Sequence, residues 1–250
     1  MKNKPVPEKW TVTFIVSRQK GQGKRHFEQF NLEVDPEEYV LDGIERIWAF
    51  HDRSLTFRHA CHHSTCGACG MLVNGVEKLT CITPIRSVTK DSGTLRVEPL
   101  RNFPVVSDLA VDMASFYLNL EKAQFSQVAP IQNASLPFED QSMEGDLERL
   151  VDCIECGMCV SACPAAHTSS GYLGPGALAA FQHSLNQKND PRLYDLVDCH
   201  DGPWRCHNAF ECSAVCPSNV DPAWRIMNLR RKIVSHRLRR LFKRREAAKP

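Results

Sequence analysis

The chain has 250 residues, 42% of them hydrophobic and 24% charged, enough for one large domain or two modest ones with buried cores. No apolar run approaches a membrane span, and the opening MKNKPVPEKWTVTF has no hydrophobic leader region, so the chain reads as cytoplasmic, without a signal peptide or twin-arginine signal. The net charge of +2 hides an asymmetry: from residue 225 onward eleven Lys/Arg stand against the single acid Glu246, a net of +10, while the other 224 residues carry twenty Lys/Arg and twenty-eight acids, a net of −8.

WTVTFIVSR (10–18) alternates apolar and polar residues and predicts a strand, FEQFNLEVD (27–35) predicts a second, and GQGK between them suits a hairpin. PEEYVLDGIERIWAF (36–50) predicts a helix with Pro36 at its start and acids in its first turn. Val40, Ile44, Ile47 and Trp48 recur at helical spacing and are expected in the core. MLVNGVEKLT predicts a hairpin turning at Asn74-Gly75, and TLRVEPL (94–100) reads as the last strand. The character changes near Asn102. A boundary near residue 105 separates an α+β part, 1–105, from a helical part, 106–250, with cysteine motifs in its loops. SDLAVDMASFYLNLEKAQ (107–124) predicts one amphipathic helix through Leu109, Met113, Phe116, Tyr117 and Leu120. Residues 126–142, rich in Pro, Gln and Ser, read as a surface excursion, and further helices are expected at 144–152, 175–187 and 191–198.

Twelve cysteines clustered at short gaps in a reducing compartment imply metal rather than disulfides. Cys61, Cys66, Cys69 and Cys81 have the spacing C-x4-C-x2-C-x11-C, the plant-type [2Fe–2S] pattern, with Gly67 and Gly70 letting the loop wrap two irons. Four thiolates also suit zinc, which stays open as the alternative. His59, His62 and His63 crowd this loop but are not needed as ligands; they read as surface or supporting residues.

CIECGMCVSACP (153–164) carries Cys153, Cys156, Cys159 and Cys163 ahead of Pro164. CHNAFECSAVCP (206–217) nearly repeats it, with Ala209 in place of one cysteine. In two-cluster ferredoxins the last cysteine of each run ligates the other run's cluster. Applied here, Cys153, Cys156, Cys159 and Cys216 make a four-thiolate [4Fe–4S] site, and Cys163, Cys206 and Cys212 make a three-thiolate site that suits [3Fe–4S]. A [4Fe–4S] cluster completed by water, or by Cys199, is the competing reading for the latter. Cys199 itself is expected to be a small buried hydrophobe.

Three cysteine motifs in this order resemble the iron–sulfur subunit of succinate dehydrogenase and fumarate reductase. RVEPLRNFPVVSDLAVD resembles that family's connecting segment, and CIECGMCVSACP, LGPGAL and RCHNAFECSAVCP resemble its cluster-binding segments. The resemblance implies an α+β fold in which a β-grasp plant-type ferredoxin domain precedes an all-α, bacterial-ferredoxin-like domain of the eight-iron type. It also implies a flavoprotein partner with FAD, a membrane anchor with quinone and haem b, and a peripheral place on the cytoplasmic side of the membrane. Single electrons would pass between flavin and quinone through the three clusters, with no catalytic residue for the dicarboxylate in this chain. Pro164 and His207 match positions near the quinone in family members, whereas CPAAHTSS has His167 and Thr168 where the family carries aromatic residues. An iron–sulfur subunit of another flavin-linked reductase is the nearer alternative. A zinc protein using its tail on nucleic acid is the remote one.

The tail, PAWRIMNLRRKIVSHRLRRLFKRR (222–245), is basic and amphipathic, with Met227, Val234, Leu238 and Leu241 on one helical face. Contact with anionic headgroups or an anchor subunit fits it better than nucleic acid.

Overall fold

The computed structural model describes residues 9–124, 152–188 and 190–247. Strands β1 (Trp10–Arg18) and β2 (His26–Val34) form an antiparallel hairpin, and helix α1 (Val40–Phe50) follows. Strands β3 (Gly70–Val73) and β4 (Val76–Leu79) make a second hairpin, and β5 (Thr94–Glu98) enters between the hairpins. The sheet order is β2-β1-β5-β3-β4, with β5 parallel to β1 and antiparallel to β3. The β3–β4 turn has φ +51° at Asn74 and +83° at Gly75, the left-handed pair an Asn-Gly hairpin demands.

Alternation drives this sheet. Val12, Phe14 and Val16 are fully buried on one face of β1, where they meet Val40, Ile44 and Ile47 of α1. Each such side chain contributes about 1.5–3 kcal/mol. Trp48, expected in the same core, is exposed; its ring instead carries the Arg53 guanidinium 4.1 Å above its centroid. The helix starts at Val40, four residues after Pro36, where the Tyr39 N–H donates to Asp42 Oδ2 at 2.9 Å.

The segment 107–124 is not one helix. A short hairpin, β6 (Val105–Ser107) with β7 (Ala110–Val111), precedes α2 (Ala114–Lys122), so TLRVEPL is not the last strand. The reason is a polar hub. Asp108, 1% exposed, accepts from Arg18 Nε at 3.1 Å and from the Gln19 and Thr56 N–H groups at 3.0 and 2.9 Å. Arg18 also pairs with Glu28 and Asp52. A buried carboxylate needs these partners, and only a tight turn at residue 108 brings it to them. Leu109 consequently lies in the sheet's core rather than on α2, and Tyr117 is exposed.

The second lobe holds α3 (Met158–Ser161), α4 (Pro164–Thr168), α5 (Pro175–Lys188), α6 (Pro191–Val197), α7 (Glu211–Ala214) and α8 (Pro222–Ala247). In α5, Ala177, Leu178, Ala179, Ala180 and Phe181 are all at most 1% exposed, so this helix is the lobe's centre. Ile226, Leu229 and Ile233 of α8 share its core, as do Phe116 and Leu120 of α2. Cys69 and Cys81 belong to this same cluster, so the two lobes share apolar contacts. The surface excursion at 126–142 and nearly all of the helix expected at 144–152 lie outside the described residues.

Candidate metal centres

The first cysteine set stands where the sheet meets the second lobe. Cys69 immediately precedes β3 and Cys81 follows β4; both are buried. Thr80 fixes their spacing by donating its N–H and its hydroxyl to Cys69 O, at 3.2 and 3.0 Å. Cys61 and Cys66 lie on the loop between α1 and β3, half-buried and exposed. The N–H groups of His63, Thr65 and Cys66 point at Cys61 Sγ from 3.5, 3.3 and 3.4 Å. The His63 N–H foremost, then Cys66 and Thr65, lower the Cys61 thiol to about 6. Burial, then Cys69, pushes Cys81 up to about 11.

Gly67 has φ +69°, and a Cβ there would come within 2.7 Å of Ile154 O and 2.8 Å of Cys156 Cβ. The loop of the first set thus abuts the loop of the second, and only a residue without a side chain fits. Gly70 has ordinary φ and room for a Cβ, so the expected turning role falls to Gly67 alone.

The other seven motif cysteines sort into two groups, and the sorting crosses the two runs. Burial raises the Cys153 and Cys156 thiols, the latter to about 12, and Cys216 adds to both. Cys159 is raised well above the ordinary range by burial, then by Cys156, Cys153, Cys212 and Cys216. A small cavity is lined by Cys153, Cys156, Cys159 and Cys216 together with Phe116 and Gly176. In the other group burial raises Cys163, with Cys206 adding, and raises Cys212 to about 12, with Cys163 and Cys206 adding. Helices α3 and α7, one from each cysteine run, pack together and bring the two runs side by side.

Side chains from elsewhere hold these loops. Asn102 Nδ2 donates to the carbonyls of Val160, Ser161 and Cys163 at 2.8, 3.0 and 3.1 Å. Arg230 of α8 donates to Cys206 O at 2.6 Å and to Asn208 Oδ1 at 2.9 Å. The Asn208 N–H reaches Cys206 Sγ at 3.5 Å, and the Val220 N–H reaches Cys216 Sγ at 3.4 Å. Tyr172 is 5% exposed; burial, then Cys163, Cys206 and Cys212, keeps its phenol neutral. Its hydroxyl is buried with no hydrogen-bond partner among the described residues. No motif marks Asn102 or Arg230 in the sequence, because each acts from a segment well removed from the loop it holds.

Ala209, Pro164 and His207 are exposed beside the three-thiol group, Pro164 as the first residue of α4 and His207 next to Cys206. Cys199 is exposed, not a buried hydrophobe. It follows α6 in an irregular turn, and it is not among the thiols that perturb Cys163 or Cys212.

These donor sets fit iron–sulfur clusters. Buried thiols that resist ionisation alone become thiolates when a cation shares their cavity, and N–H groups aimed at sulfur are the usual lining of such sites. The orphaned Tyr172 hydroxyl beside three thiols is a donor in want of an acceptor, which a bound cluster would supply.

Residues 13–118 match the family described as 2Fe-2S iron-sulfur cluster binding domain, and residues 149–220 match the 4Fe-4S dicluster domain family. The chain is 35% identical to a fumarate reductase iron-sulfur subunit of Mycobacterium tuberculosis, over 86% of this chain and 89% of the relative. It is 32% identical to a succinate dehydrogenase iron-sulfur subunit of Paracoccus denitrificans, over 78% of this chain and 76% of that one. A chain of the Mycobacterium smegmatis Sdh1 complex in the apo form shares the fold, with TM-score 0.75 and 24% identity, covering 92% of this chain and 98% of that one.

Proposed function

The chain belongs to the family of iron–sulfur subunits of succinate dehydrogenase and fumarate reductase, and from that premise we propose how its residues divide the work of electron transfer. Cys61, Cys66, Cys69 and Cys81 hold a [2Fe–2S] cluster; Cys153, Cys156, Cys159 and Cys216 hold a [4Fe–4S] cluster; Cys163, Cys206 and Cys212 hold a [3Fe–4S] cluster. The single observation that carries this is the crossing of the two runs, in which Cys216 of the second run lines one cavity with Cys153, Cys156 and Cys159 of the first, while Cys163 is left to the side of Cys206 and Cys212. When bound, the clusters supply one-electron oxidation and reduction between FAD in a flavoprotein partner and a quinone at a membrane anchor.

The protein's part is to order, screen and tune these centres. The Cys61 loop lends N–H dipoles to its thiolate, and Gly67 brings that loop against Cys156. Phe116 and α5 keep water from the second set. Asn102 and Arg230 fix the loops of the third, and Tyr172 offers it a hydroxyl donor. Dicarboxylate chemistry belongs to the flavoprotein. Pro164 and His207, exposed at the edge of the third set, are the quinone-proximal pair.

The finer architecture follows the same reading: a β-grasp, plant-type ferredoxin lobe, then a helical lobe of the eight-iron type. We place the division at the end of the β6–β7 hairpin, a few residues beyond 105, since backbone bonds from Asp108 to Gln19 and from Leu109 to Thr56 tie that hairpin to the first lobe. No helix among the described residues is long and apolar enough to cross a membrane. A peripheral place on the cytoplasmic face, with haem b in the anchor, fits the basic tail.

Low-temperature EPR of the anaerobically purified complex tests the assignment. The expected result is a narrow signal near the free-electron position in the oxidised state, lost on reduction as [2Fe–2S] and [4Fe–4S] signals appear. Two cubane signals without the oxidised-state signal would overturn the three-thiolate assignment, and a colourless zinc-loaded chain would overturn all of it.

A further inference from the structure

The side chains of the histidines crowding the first cysteine loop are not needed as cluster ligands, yet two of them are assembled with a carboxylate. Glu45 Oε1, on α1, lies 3.0 Å from His59 Nδ1 and 3.2 Å from His62 Nε2, and the two nitrogens are 3.2 Å apart. That oxygen is buried, and no hydrogen bond of acceptable geometry reaches it. Three ligand atoms therefore converge on one point, the two ring nitrogens within hydrogen-bond reach of each other and the buried carboxylate oxygen without a hydrogen bond of its own.

The triangle has the dimensions of a coordination face. Ligands about 2.0–2.2 Å from one divalent ion stand about 3.0 Å apart when octahedral and about 3.4 Å apart when tetrahedral. Two imidazoles and one carboxylate form the set that suits zinc and its first-row neighbours, with further positions open. The scaffold fixes the donors. The His59 ring stacks on Phe57, with centroids 5.0 Å apart and planes 23° apart. His62 is held at φ +60°, a conformation uncommon outside glycine and one that clusters at ligand sites. The triad borders a cleft that also takes in Trp48, Ala49 and Thr56. The cation that lines that cleft, Arg53, is drawn over the Trp48 ring.

We propose that Glu45, His59 and His62 bind one divalent transition-metal ion, separate from the three cysteine sets. Its open positions face the cleft and accept water or an outside ligand.

The test uses the full chain loaded anaerobically with iron and sulfide, titrated with zinc chloride by calorimetry, with zinc and iron counted by mass spectrometry. The expected result is one zinc per chain at micromolar affinity, with iron content unchanged. His59→Ala, His62→Ala and Glu45→Gln each weaken that binding by roughly tenfold or more. His63→Ala, next to His62 but outside the triad, leaves it unchanged. The visible absorption of the clusters in every variant reports that the fold is intact. Zinc uptake matched by loss of iron, equal affinity in the three triad variants, or equal weakening by His63→Ala would overturn the proposal.

Discussion

Ala209 stands exposed in the loop between Cys206 and Cys212, where the first run has a thiol. Ala209→Cys restores a fourth donor beside Cys163, Cys206 and Cys212. The expected outcome is conversion of the three-iron centre to a cube with a lower midpoint potential, read as loss of the oxidised-state EPR signal in a redox titration. Tyr172 makes the complementary case. Its hydroxyl bonds to no described protein atom, so Tyr172→Phe forfeits no protein–protein hydrogen bond and changes the melting temperature little. What it removes is a donor toward the third centre, whose midpoint potential is expected to fall in the same titration. Asp52 shows how a single charge sets a pH window. The Arg18 hydrogen bond, with Ser54 adding, holds its carboxyl at about 2 against an ordinary 3.8. A carboxylate with a depressed folded-state pKa stabilises above its unfolded value and loses that contribution as pH falls toward the folded one. The melting difference between the native chain and Asp52→Asn is therefore full at pH 6 and shrinks between about pH 4 and about pH 2.

At the level of elements, Gly67 is the tightest joint. Gly67→Ala forces a Cβ into left-handed backbone and into Ile154 and Cys156, and a loss of at least about 2 kcal/mol is expected in denaturant unfolding. The loop that this joint serves was legible from spacing alone, since C-x4-C-x2-C is a rigid geometric demand. So were β1 to β5 and the Asn74-Gly75 turn, where strict alternation and left-handed residues leave little choice. The segment 107–124 misleads because Leu109 fits a helical stripe as well as it fits the sheet's core; the deciding interaction, Asp108 with Arg18, spans ninety residues. Trp48 misleads because an Arg above its ring satisfies an aromatic face without burial. Asn102 and Arg230 were illegible for the same reason: each supports a cysteine loop from a segment far away in the chain.

The whole molecule is divided by charge, and α8 is where the division becomes structure. Its inner face, Ile226, Leu229 and Ile233, is core, whereas Val234, Leu238, Leu241 and Phe242 are exposed among basic residues, with Met227 half-buried between. Part of the positive charge is spent inside the chain: Arg237 bonds Asp198 at 2.5 and 2.6 Å, and Arg240 pairs with Asp195 at 3.1 Å. The outer face keeps both an apolar strip and unspent cations. Co-sedimentation with vesicles is expected to need anionic lipid and to weaken steeply as salt rises from 0.05 to about 0.5 M, because each basic residue near the surface adds about 1 kcal/mol that ions screen. Equal binding to neutral vesicles would remove the electrostatic reading of the tail.

The contact of Gly67 with Ile154 and Cys156 has a kinetic meaning. Backbone from one lobe is seated directly on backbone and side chain from the other, closer than any side chain at residue 67 would allow. With clusters held by the cysteine sets proposed above, tunnelling between the first two would cross a gap set by folding. Its rate is expected to be indifferent to solvent viscosity, unlike that of carriers whose domains must travel to meet.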